Sequence, residues 1–84
     1  MITDSESAKD FVVAFFAHVA ADVALTSEGE KWLLRANDDG AVRELVQRAI
    51  DELVNGSDTE EPTLTTEEAE EIRVELVRRV PSFA

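Results

Sequence analysis

Val42-Arg43-Glu44-Leu45-Val46-Gln47-Arg48-Ala49-Ile50-Asp51-Glu52-Leu53-Val54 carries the clearest periodicity in the chain. Its apolar members Val42, Leu45, Val46, Ala49, Ile50, Leu53 and Val54 fall at i, i+3, i+4, i+7, i+8, i+11 and i+12. That spacing lines them up along one side of a helix and leaves the charged and amide side chains on the other. Asn55-Gly56 closes the run as a C-terminal cap, and Asn37-Asp38-Asp39-Gly40 before it reads as a turn. A helix over about 40–54 follows.

The flanking segments obey the same period. Towards the N-terminus, a short helix is expected over about 28–36, with Trp32, Leu33 and Ala36 on one side and Ser27 with Glu30 at capping-box spacing. Before that, every residue from Phe11 to Ala21 except His18 is apolar. A helix of about 7–25 is expected there, capped by Thr3 with Glu6 or by Ser7. A helix apolar on most of its circumference belongs in the middle of a bundle or at a subunit interface. Towards the C-terminus, about 57–64 reads as an acidic loop. A last helix over about 66–79 is capped by Thr65 with Glu68, buries Ala69, Ile72, Leu76 and Val80, and stops at Pro81. No alternating segment supports a strand. The fold class is therefore all-α, a small bundle of three longer helices and one short one, forming a single domain over 1–84.

Length and charge bound the function. The 84 residues include 19 acidic and 8 basic side chains, a formal charge of -11, and 44% of residues are hydrophobic. Area scaling gives a folded surface of about 5,000 Å² against roughly 13,500 Å² extended, enough for one modest core that dimerisation would enlarge. The absence of cysteine excludes disulfide scaffolds and thiol chemistry. So acidic a chain repels phosphate backbones and anionic lipid, so neither direct nucleic-acid binding nor membrane binding is expected. The N-terminal Met1-Ile2-Thr3-Asp4-Ser5-Glu6 lacks the basic flank of a signal peptide, which favours a cytoplasmic location. Two Lys against six Arg, with abundant Ala, Val, Asp and Glu, also fits a salt-adapted or GC-rich origin.

Catalytic candidates are few. His18, the lone histidine, shares a helix face with Asp22 at i, i+4, which suits a hydrogen-bonded pair better than a metal site. Asn37-Asp38-Asp39-Gly40 lacks the alternating ligands and distal Glu of a calcium loop. No phosphate-binding loop, dinucleotide fingerprint or nucleophile elbow occurs. No catalytic residue, metal or cofactor is expected.

The chain is similar to acyl carrier proteins in size, acidity and helix number, and Glu67-Glu68-Ala69-Glu70-Glu71-Ile72 resembles their acidic helices in composition. That family attaches phosphopantetheine to a serine in an Asp-Ser-Leu motif opening its second helix. Between Gly29 and Gly56 there is no serine, so the resemblance carries no activity across. Ala36 and Gly40, with Val46 and Ala49, resemble the spacing of a helix-turn-helix. Arg35 and Asp39 depart from it, and the would-be reading helix exposes Arg43, Glu44, Gln47, Arg48, Asp51 and Glu52, more acid than base.

Charge supplies the sharper clue. Asp58, Glu60, Glu61, Glu67, Glu68, Glu70 and Glu71 follow one another with no base between them. They form an anionic surface suited to a protein partner with a basic surface. The expected function is a non-catalytic, acidic protein–protein interaction module. Self-association as a homodimer is expected through the apolar first helix at Phe11, Phe15, Phe16 and Val19. The alternative is a nucleic-acid-mimicking inhibitor presenting residues 58–71 to a basic groove; in size and acidity the chain resembles the small acidic inhibitors of phages and mobile elements. A helix-turn-helix regulator is the weaker alternative.

Overall fold

In a computed structural model that describes residues 4–56, 59 and 61–84, the described residues form four α-helices. These are α1 (Ser5–Ala21), α2 (Ser27–Asp38), α3 (Gly40–Asn55) and α4 (Thr66–Arg79), followed by a 3₁₀ turn at Pro81–Phe83. The expected all-α bundle is what the chain builds, with differences at the helix ends.

α1 begins after Asp4, whose Oδ1 accepts the Ser7 backbone N–H at 2.8 Å. The acceptor for the free amides is therefore Asp4 rather than Ser7; Thr3, the other expected cap, lies outside the described residues. The helix ends at Ala21, four residues before the expected Leu25. Asp22 adopts the left-handed conformation at φ 57° and ψ 30° and turns the chain away. Asp tolerates that conformation better than most residues, so it serves as a C-cap where the sequence offers no glycine.

α2 is longer than expected. Thr26 caps it, accepting the Gly29 N–H at 3.1 Å, so Ser27 is the first helical residue and the Ser27–Glu30 box is not formed. Leu25 folds over the first turn, and a Cβ on Gly29 would lie 2.7 Å from Leu25 Cδ1. At its other end α2 continues through Asn37 and Asp38. The expected four-residue turn shrinks to Asp39 alone, which ends one helix and starts the next. Its N–H donates to the Arg35 carbonyl at 2.9 Å while its Oδ1 accepts the Ala41 N–H at 2.9 Å. Arg43 then reaches back from α3 to donate to the Ala36 and Asn37 carbonyls at 2.8 and 3.3 Å. Three side-chain hydrogen bonds at one junction satisfy groups that helix ends otherwise leave bare.

α3 and α4 follow the sequence closely. Gly56, at φ 68°, ends α3 and donates to the Glu52 carbonyl at 2.8 Å. Thr65 and Glu68 form both halves of the capping box at the start of α4, at 3.1 and 2.8 Å. Between them the Leu53 carbonyl accepts the N–H groups of Thr63 and Leu64, and buried Leu64 pins the end of the loop to the core.

α1 packs most extensively on α3, then on α4, with α2 closing the remaining side. Phe15, Val12, Val46, Ile50, Ile72 and Leu76 fill the centre. The Phe11 and Trp32 rings stack with centroids 5.5 Å apart and planes 13° from parallel. The radius of gyration is 11.9 Å, against about 11.8 Å for an isolated domain of this length.

Candidate functional site

Where does this fold leave the residues singled out from sequence? Of the apolar set on α1, Phe11 and Phe15 are 5% and 0% exposed, taken up by the chain's own core. Phe16 and Val19 pack against that core from its edge and keep part of their surface in water. Only these two remain open to a second molecule. Of the acidic set, Asp58 and Glu60 lie outside the described residues, and Glu61 is exposed beside the loop. Glu68 faces its own helix terminus as the acceptor in the capping box. Glu67, Glu70 and Glu71 are exposed together.

The fold joins the two sets. Val19 of α1 and Glu67, Glu70, Glu71, Val74, Glu75 and Arg78 of α4 line one open groove of about 430 Å³. The α4 residues stand at i, i+3, i+4, i+7, i+8 and i+11, a second stripe displaced from the buried Ala69–Ile72–Leu76 face. Carboxylates occupy most of that stripe, but its centre is Val74, 61% exposed. The groove thus has an apolar floor of Val19 and Val74 and an anionic rim. Val74, Glu75 and Arg78 were not singled out as site residues from sequence. The available signal was an isolated valine inside a run of carboxylates at helical spacing.

One end of the groove is held by a polar chain. Glu75 bonds Arg78 at 3.1 Å and Arg79 at 3.8 Å, and its side chain is only 17% exposed. Arg79 donates to His18 Nε2 at 2.6 Å, and His18 Nδ1 lies 2.7 Å from the Val23 carbonyl. A carbonyl only accepts and a guanidinium only donates, so these contacts suit the tautomer with its hydrogen on Nδ1. His18 is thereby bonded to Val23 and Arg79 and not to Asp22, as the i, i+4 spacing had suggested. The reason is the left-handed Asp22, which turns the chain so that the next carbonyl comes back over the last turn of α1. This link ties the C-terminal ends of α1 and α4 beside the groove.

Other ion pairs brace the far side of the bundle. Lys9 meets Glu52 at 3.5 Å between α1 and α3, and Arg73 meets Asp51 at 2.6 Å between α4 and α3. The would-be reading helix is thus partly committed to structure: Arg43 caps α2, and Asp51 and Glu52 pair with neighbouring helices. Among the described residues, no three His, Asp or Glu side chains converge as metal ligands do, and no helix is long and apolar enough to cross a membrane.

No protein-family model matches the chain, and neither the curated proteins nor the solved structures contain a similar one.

Proposed function

We propose that this protein is a non-catalytic, acidic interaction module acting in the cytosol, whose α1/α4 groove binds a protein with a basic surface. The observation that carries this reading is the exposed Val74 at the centre of a carboxylate-rich stripe. Contact between proteins gains most of its affinity from a desolvated apolar centre, and a charged rim adds specificity and association rate. Glu67, Glu70 and Glu71 have no ion-pair partner among the described residues, so their charge is free to act outward.

The self-associating form of this reading has less to stand on. Phe11 and Phe15 are occupied within one chain, and two copies meeting across the groove would set carboxylates against carboxylates. A nucleic-acid-mimicking inhibitor would use the same carboxylates, but a phosphate-like array has no need of an apolar floor.

The test is affinity capture from the source cells with the wild-type chain and with a Glu67→Lys, Glu70→Lys, Glu71→Lys variant, at low and high salt. A partner held by the wild type at low salt and lost from the variant, with unchanged helicity, is the expected result. Equal retention by both chains rejects the proposal. Displacement of that partner by duplex DNA would favour the mimic instead.

A further inference from the structure

We infer that the occupant of the α1/α4 groove is a cationic amphipathic helix of about three turns, an inference that rests on the anionic-module reading above. Three features of the site lead there.

The first is backbone chemistry. The groove walls are helices, whose backbone N–H and C=O groups are paired internally, and the described residues include no strand that could accept an added one. A segment laid on the Val19–Val74 floor must therefore bring a backbone already satisfied by its own hydrogen bonds. An extended peptide finds no strand edge to pair with there; a helix needs none.

The second is length. Glu67 to Arg78 covers about 16 Å of helix axis at 1.5 Å per residue, room for roughly three turns of a partner lying alongside. Along that length the apolar side chains lining the groove are two, Val19 and Val74. A partner stripe of two or three apolar side chains at i, i+3 or i+4 matches them.

The third is charge. Glu75 is engaged by Arg78 and Arg79, leaving Glu67, Glu70 and Glu71 as the outward carboxylates. Bases on the partner gather beside these three. Arg78, 81% exposed at the opposite end, suits the partner's helix C-terminus or a carboxylate. A second copy of this chain does not meet that description: its net charge is -11, and the only exposed apolar residue of its α4 is embedded in acid.

Synthetic peptides provide the probe. One peptide of about 14 residues, long enough for marginal helicity alone, carries Leu at i, i+3 and i+7 with Lys elsewhere. A second has the same composition with the order scrambled. Both are titrated into isotope-labelled full chain at low salt, following amide shifts and peptide helicity. The patterned peptide is expected to bind at least about tenfold tighter than the scrambled one, to become helical, and to shift Val19, Glu70, Glu71 and Val74.

Val74→Asp sharpens the decision. This residue is exposed, so the substitution spares the core. It adds negative charge, and purely electrostatic attachment would then strengthen; helix docking would weaken about tenfold, the loss of one central apolar anchor. Equal binding of the two peptides, or tighter binding by Val74→Asp, overturns the helix while leaving the anionic module intact. Absence of binding by either peptide at low salt overturns both.

Discussion

Asp22 holds a conformation that L-residues avoid, and the reversal after α1 depends on it. Glycine at this position removes the clash between Cβ and backbone, whereas alanine keeps it and loses the polar side chain that makes the left-handed region tolerable. Asp22→Gly is therefore expected to exceed Asp22→Ala in stability by about 1 kcal/mol in urea denaturation. Asp4 makes a different contribution. The Ser7 backbone N–H, with help from the Ser7 side chain, holds its carboxyl below the ordinary 3.8. A carboxyl depressed on folding adds stability that is present above its unfolded value and disappears as pH falls through the folded one. The advantage of wild type over Asp4→Ala is accordingly expected to be constant above pH 5 and to shrink in acid, beginning near pH 4. Thermal melts across that range measure it.

Each helix owes its ends to side chains that the sequence displays, but the choice among neighbours depended on geometry. Thr65 with Glu68 was legible because the two stand at capping-box spacing before a strong apolar pattern. Thr26 was not, because Ser27 next to it is an equally good acceptor and also has a Glu three residues on. Leu25 settles that choice by packing over Gly29, which fixes the entry to α2 one residue earlier. Thr65→Ala is expected to cost about 1 kcal/mol, the usual value of such a cap. Because Thr65 caps only the first turn of α4, amide exchange is expected to rise more there than in the other helices. A uniform rise over all four helices would show that α4 has no independent fraying.

At the scale of the molecule, the charge of -11 acts on a bundle that closes its own core. Phe11 and Phe15 of α1 are taken up by that core. A monomeric mass is expected by light scattering at micromolar concentration; a dimer would restore the self-associating reading. Repulsion among the carboxylates is expected to make the melting temperature rise with KCl and then level off within a few Debye-screened steps, by about 0.2 M. A rise continuing to molar salt would mark the acidity as salt adaptation instead. The sequence alone determined the helices, their caps at Gly56 and Thr65, and the inward stripe of α3, because local periodicity and capping chemistry are written in neighbouring residues. It did not determine how much of α1 would be covered. The run from Phe11 to Ala21 is apolar nearly all round, and only the packing of three neighbours decided that Phe11, Val12 and Phe15 turn inward while Val13 stays 44% exposed. Nor did it join Val19 to Val74. Those residues lie 55 apart in the chain, and their shared groove exists only because α1 and α4 pack side by side, with His18 and Arg79 linking their ends.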